Sequence, residues 1–247
     1  MARPVLAVAM VVALVLVPLT GCVLTGADDT TTTTSPGYEQ PDPPESLTTA
    51  AAERVALAAE AARLADRLGE RDDVIAFTVN PSTVGPTARA HRLGQAVYVS
   101  VTYPYAITRS AGRAEAVSHA SYVVTTEAIR RYDHDRRVRR VEPFAGGETV
   151  ADPLSVRLLD LANGSAPIAV SLTYLDAPTT AFVGTYRVGP EGLTVRGVAS
   201  RGGRYRVTTT SNGSVATETV TLSSAVTAPV VVLREPDGSL TVFRPTG

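Results

Sequence analysis

From residue 70 onward, the apolar residues of this 247-residue chain fall mostly at every second position, in short runs closed by turn-forming pairs. A period of two sends alternate side chains to opposite faces, which is the requirement of a half-buried strand and not of a helix. The pattern predicts strands at Val74–Val79, Ala88–Leu93, Ala96–Tyr103, Ser118–Thr126, Ile129–Tyr132 and Arg137–Val141. Further strands are predicted at Val156–Leu161, Ile168–Leu175, Ala181–Val188, Leu193–Val198, Tyr205–Thr210, Val215–Leu222, Val230–Arg234 and Leu240–Phe243. Asn163-Gly164, Gly202-Gly203, Asn212-Gly213 and Pro236-Asp237-Gly238 separate the later runs. Asn-Gly suits hairpin turns whose central residues need positive φ.

One segment keeps a helical period instead. Over Leu47–Gly69, Leu57, Ala61, Leu64 and Leu68 form a stripe, widened by Val55, Ala58 and Ala62. Thr48 or Thr49 can cap its start, alanine supplies propensity, and Gly69 suits the position just past its end. Glu60, Arg63, Asp66 and Arg67 lie opposite the stripe, on the face expected to meet solvent.

Helix-then-strands followed by strands alone predicts two domains divided at Pro143–Pro153. Residues 47–148 read as an α+β domain, one helix on an antiparallel sheet, an element order shared with cystatin-like and NTF2-like folds. Residues 149–247 read as an all-β immunoglobulin-like sandwich. The chain has no Trp and one Cys, so the likeness is to the architecture and not to antibody hallmarks.

The opposite end of the chain has another logic. Arg3 precedes an apolar run, Val5–Val17, that is shorter than the roughly 20 residues of a spanning helix. It fits the apolar core of a signal peptide over residues 1–21. The run ends in Leu19-Thr20-Gly21-Cys22, which resembles the lipobox of prokaryotic lipoproteins. That resemblance implies cleavage before Cys22 and lipid attachment at Cys22, the only thiol in the chain. Residues 22–46 carry five consecutive threonines, Thr30 to Thr34, and prolines at 36, 41, 43 and 44. They read as a lipidated, Thr/Pro-rich linker that stays solvated.

The inventory of reactive groups is thin. Basic and acidic residues number 23 and 24, so no excess of positive charge points to nucleic acid. A single cysteine excludes a disulfide framework and a multi-cysteine zinc site. His91, His119 and His134 have no ligand spacing; His91 and His119 read as half-buried structural residues. In Asp133-His134-Asp135, alternation would point both carboxylates away from the ring, so the triplet reads as a solvated turn. No G-x-S-x-G, Ser-x-x-Lys or H-E-x-x-H motif occurs, and the glycines do not form a phosphate loop. Catalytic residues, metal ligands and cofactors are therefore all expected to be none.

Two features remain as candidate sites. Arg130, Arg131, Arg136, Arg137, Arg139 and Arg140 crowd eleven positions and form a candidate patch for an anionic surface, weighed against salt-bridged, edge-protecting strands. Asn163 and Asn212 each begin an Asn-Gly-Ser sequon and are candidate glycosylation sites, although a hairpin turn accounts for both.

Together the lipobox, the Thr-rich spacer, "PDPPESLTTAAAERVALAAEAARLADRL" and "GRYRVTTTSNGSVATETVTLS" resemble surface lipoproteins of the haloarchaeal type. The resemblance implies a protein lipid-anchored to the cell membrane and facing the extracytoplasmic side. The function expected is a non-enzymatic binding or envelope-interaction module, with an envelope protein or a glycan as partner. The alternative is an extracellular enzyme with a pocket in the N-terminal α+β domain.

Overall fold

A computed structural model describes residues 38–79, 84–134, 137–162, 164, 166–224 and 228–245. Cys22, the expected signal peptide, most of the linker, Asp135, Arg136 and Asn163 lie outside the described residues. Helix α1 spans Thr49–Gly69, and the Thr48 hydroxyl caps it by accepting the Ala51 N–H at 3.1 Å. Gly69 is the last helical residue, not a left-handed cap. The chain leaves through right-handed Glu70, whose N–H bonds back to the Asp66 carbonyl at 3.1 Å, so no glycine freedom is used.

The first sheet follows directly, from β1 (Ala76–Val79), β2 (Thr87–Leu93), β3 (Ala96–Arg109), β4 (Gly112–Val124) and β5 (Ile129–Asp133). Its order is β1-β3-β4-β5, with β2 also on β3 and every pairing antiparallel. β3 and β4 are much longer than the alternation predicts. Pro104 interrupts the pattern, yet it sits where β2 pairing has ended at Thr102 and β1 pairing has not begun at Tyr105. A residue without an N–H breaks no ladder on that side. Val97, Val99 and Val101 of β3 and Ala120, Tyr122 and Val124 of β4 share one face and pack against Ala52, Ala56 and Ala59 of α1. The methyl-sized helix face lets backbone and sheet approach closely.

The remaining strands are β6 (Val138–Arg140), β7 (Thr149–Asp160), β8 (Ile168–Tyr174), β9 (Thr179–Tyr186), β10 (Leu193–Arg201), β11 (Gly203–Ser211), β12 (Ser214–Leu222), β13 (Val230–Arg234) and β14 (Leu240–Phe243). They make a five-stranded sheet, β14-β13-β7-β10-β6, and a four-stranded antiparallel sheet, β12-β11-β8-β9. The five-stranded sheet is mixed, because β13 runs parallel to β7 and β6 parallel to β10. Asn212 (φ 47°) and Gly213 (φ 83°) turn β11 into β12 as the Asn-Gly pair predicts.

Two apolar clusters organise this half. Leu154, Val156 and Leu158 of β7 and Val195 of β10 share one cluster with Ile168, Val170 and Leu172 of β8 and Tyr205 and Val207 of β11. On the other face of β7 and β13, Leu159, Leu161, Val231, Leu233 and Phe243 cluster with Leu93, Tyr98, Val123 and Tyr132. Residues 47–148 and 149–247 thus contribute to one apolar cluster, and β6, from the first of these stretches, forms an edge of the five-stranded sheet. The described residues are mostly strand, with one helix and predominantly antiparallel pairing.

Candidate functional site

The densest polar chemistry lies under α1. Ser118 and Tyr122 are an even number of positions apart on β4, so both face the helix. Cross-strand pairing puts Arg131 beside Tyr122 and Asp133 beside Ala120, on the same face. Glu60 descends onto this group and is fully buried, against the expectation that it faces solvent. Arg131 grips it bidentately, Nε to Oε2 at 2.7 Å and Nη2 to Oε1 at 3.1 Å. The Ser118 hydroxyl donates to Oε1 and the Tyr122 hydroxyl to Oε2, both at 2.6 Å. Burial alone would raise the Glu60 pKa, but the bonds from Arg131, Ser118 and Tyr122 outweigh it and hold the carboxyl below its usual range. Burial and then the Glu60 charge push the Tyr122 phenol upward.

Asp133 extends the network, lying 2.9 Å from Arg131 Nη1 and 3.5 Å from Arg63 Nη2. Beside it opens a recess of about 360 Å³ lined by Arg63, Tyr122, Arg131, Glu127, Gln40 and Pro41, among others. The C-terminal end of the expected linker thus forms one of its walls, and Tyr38 packs against the core under α1, so this end of residues 22–46 does not stay solvated as expected.

A second cluster occupies the opposite face of the first sheet. Arg157 of β7 is only 6% exposed, and its Nη1 lies 3.0 Å from Tyr98 Oη, 2.7 Å from Ser121 Oγ and 3.0 Å from His134 Nε2. Nη1 carries two hydrogens for these three neighbours, and Ser121 Oγ also lies 2.9 Å from His134 Nε2, so the group shares its protons around a ring that sits beside a permanent cation. Burial, then the charges of Arg157, His119 and Arg131, lower the His134 pKa to about 3, against a weaker pull from Asp133. The expected solvated turn is therefore wrong for two of its residues: Asp133 is ion-paired and His134 is packed between sheets. Residue 135 lies outside the described part.

The arginine run does not form one surface. Arg131 is committed to Glu60, Arg130 Nη1 donates to the Leu161 carbonyl at 3.3 Å, and Arg137 pairs with Glu191 at 3.1 Å. Arg139 and Arg140 are exposed neighbours on β6 and point to opposite sides. Asn212 sits in the β11–β12 turn, exposed, with its sequon intact. His91 stacks on Phe243 at 4.5 Å, whereas His119 is exposed, not half-buried, and meets Thr102 Oγ1 through Nδ1 at 3.3 Å.

Sequence reasoning missed a further buried pair. Arg234, 2% exposed, contacts Asp160 through Nε at 2.8 Å and also through Nη2. Its remaining donors reach the Ala166 and Gly164 carbonyls and the Ser211 hydroxyl at 2.8–3.1 Å. All of its reach is spent on fixing the chain after β7. A charge closing the continuous apolar run V-V-V-L-R was the available signal.

Among the described residues no three His, Cys, Asp or Glu side chains gather as metal ligands, and no helix is long and apolar enough to cross a membrane. No family model matches the chain, and neither a similar curated protein nor a similar solved structure was found.

Proposed function

We propose that this chain is a membrane-anchored, extracytoplasmic lipoprotein whose folded part is a non-enzymatic binding or envelope-interaction module. The observation that carries the non-enzymatic part is the closure of the Glu60 cluster. Each carboxylate oxygen already accepts two bonds. A general base or nucleophile needs a lone pair turned toward a substrate. The anchor rests on the Leu19-Thr20-Gly21-Cys22 sequence behind a short apolar run. In this reading residues 149–247 are a sandwich module of the broad immunoglobulin-like architecture, supported by the apolar cluster that both later sheets share. The kinship is to the layering, because β7 and β8 lie in different sheets whereas the first two immunoglobulin strands share one.

The test uses the full chain in a lipidating prokaryotic host. Wild type should partition into detergent and carry added lipid mass, and Cys22→Ser should do neither. Wild-type protein in the aqueous phase without lipid mass refutes the anchor. One observation favours the second reading, an extracellular enzyme: the recess beside Tyr122, Arg63 and Arg131. A hydrolytic activity abolished by Tyr122→Phe with the fold retained would replace the binding reading with that one.

A further inference from the structure

Residues 38–46, the stretch leading to α1, carry Pro41, Pro43 and Pro44. Proline fixes its own φ and holds the residue before it extended, so this stretch runs as a stiff strap and not as an earlier turn of the helix. Both ends of the strap are seated. Tyr38 and Leu47 pack on the cluster beneath α1, and the Leu47 carbonyl accepts from Arg92 Nη1 at 2.7 Å. Between them Pro41 and Pro43 are half-buried while Asp42 is exposed, so alternate residues turn inward. Among the described residues, no hydrogen bond ties residues 39–45 to the rest of the fold.

The strap does not fill its seat. A space of about 360 Å³ remains among Pro41, Pro43, Ala59, Tyr122, Ala128 and Ile129. Arg63 and Arg131 also line it, but both are committed to Glu60 and Asp133. What the seat offers a visiting chain is therefore mainly apolar contact. A segment held by such contact alone, over a space it leaves open, is one that another segment of the same kind can replace.

We infer that this seat is a docking site for an extended, proline-containing segment of a partner protein that bears an aromatic residue, and that residues 38–46 occupy it in cis until such a segment displaces them. The chain itself shows what the seat accepts: Tyr38 as the anchor, then Pro41 and Pro43 at alternate positions. Prolines preset the backbone, so docking gives up little conformational freedom, and the aromatic ring supplies area that the prolines lack. The strap also sets the threshold for the partner. Joined to the fold at Leu47, it faces its seat at an effective concentration in roughly the millimolar range. A partner segment reaches the seat only in the fraction of molecules whose strap is lifted, and its apparent affinity falls by that fraction. This inference rests on the binding-module reading and names the partner's chemistry. No membrane enters its test, so failure of the seat leaves the lipid anchor untouched, and loss of lipidation leaves the seat standing.

The experiment titrates a synthetic peptide with the sequence of residues 38–47, "YEQPDPPESL", into the full chain in neutral detergent, followed by calorimetry and by isoleucine-methyl NMR. Wild type should bind the peptide weakly. Tyr38→Ala unlatches the strap and should bind it about tenfold tighter or more, a gain that a purely structural role for Tyr38 does not produce. A peptide with its tyrosine replaced by alanine, and another with its prolines replaced by alanine, should each bind the variant about tenfold more weakly than the parent peptide. In wild type, the Ile129 methyls should shift as the peptide is added and those of Ile168, buried between the later sheets, should not; this readout needs no variant to fold. No binding to either protein, equal affinity for wild type and Tyr38→Ala, equal binding of the proline-free peptide, or unmoved Ile129 methyls overturns the inference.

Discussion

Acidification should unfold this protein earlier than its carboxylates alone would dictate, because of His134. In the folded state the ring is largely withdrawn from water and its Nε2 lies 3.0 Å from Arg157 Nη1 and 2.9 Å from Ser121 Oγ. Protonating it would desolvate a charge and set a second cation beside a buried guanidinium, which is why its pKa falls from 6.5 to about 3. The unfolded chain binds this proton below pH 6.5 and the folded chain does not, so the stability it supplies is present above 6.5 and drains as pH falls toward 3. Each pH unit inside that window costs up to about 1.4 kcal/mol. At pH 4.5 the loss approaches about 2.7 kcal/mol, a large share of the ~5–15 kcal/mol that holds most domains together. Urea unfolding of wild type and His134→Gln at pH 7 and pH 4.5 isolates this contribution. Glutamine can still accept from Arg157 but does not titrate. The variant should lose about 2–3 kcal/mol less than wild type between the two pH values. Identical losses, or a His134 ring that titrates near 6.5 in the folded protein by NMR, would refute the reasoning.

Two further perturbations follow from the packing. Glu60→Gln leaves Arg131 and two hydroxyls without their shared anion and should destabilise the fold by about 3 kcal/mol or more, read as a lower urea midpoint; a change within 1 kcal/mol would mean that the cluster is solvated. Gly197→Ala adds a Cβ at 2.7 Å from the Val141 oxygen in a left-handed conformation. It should cost about 1–3 kcal/mol and speed amide exchange at Val141, whose N–H bonds to the Arg196 carbonyl; unaltered exchange there would count against that close approach.

Where the sequence was legible, the signal was local. Strands Val230–Arg234 and Leu240–Phe243 stand where the sequence places them, and Thr48 caps α1. The long β3–β4 hairpin was harder. Pro104 reads as a strand breaker until its position between the β2 and β1 pairings is known, and the mostly exposed Gly112–Val117 stretch offers only alanine as its apolar partner in the alternation before Val117. Of the helix stripe, Ala61, Ala62, Leu64 and Leu68 are buried and Leu57 packs on the core, whereas Ala58 is exposed and Ala52, Ala56 and Ala59, outside the stripe, also meet the sheet. Alanine is too weakly apolar to declare its face, so Glu60 landed on the wrong side. The buried arginines were invisible for a different reason. Arg157 and Arg234 are explained by partners at His134 and Asp160, and nothing in one sequence records such pairings. The arginine run between 130 and 140 shows the converse. Residues adjacent in sequence were dispersed because a strand, a turn and an edge strand carry them to separate faces.

The parallel alignment of β13 with β7 has a consequence for how the chain reaches this structure. No hairpin can join two parallel neighbours, and the Asp160–Arg234 pair that locks them is 74 residues apart. The middle of the five-stranded sheet therefore cannot zip outward from a turn. Its β7–β13 ladder can close only across the whole of the chain between them, which includes the β8–β9 and β11–β12 hairpins. Closing so long a loop before any contact repays it favours slow assembly, in the millisecond-to-second range of non-local β topologies. A chain emerging from its N-terminus would hold β7 unpaired on that side until nearly all of it had appeared. Over that interval the Val156–Leu159 stretch of β7 presents an open strand edge, and aggregation during synthesis should concentrate there.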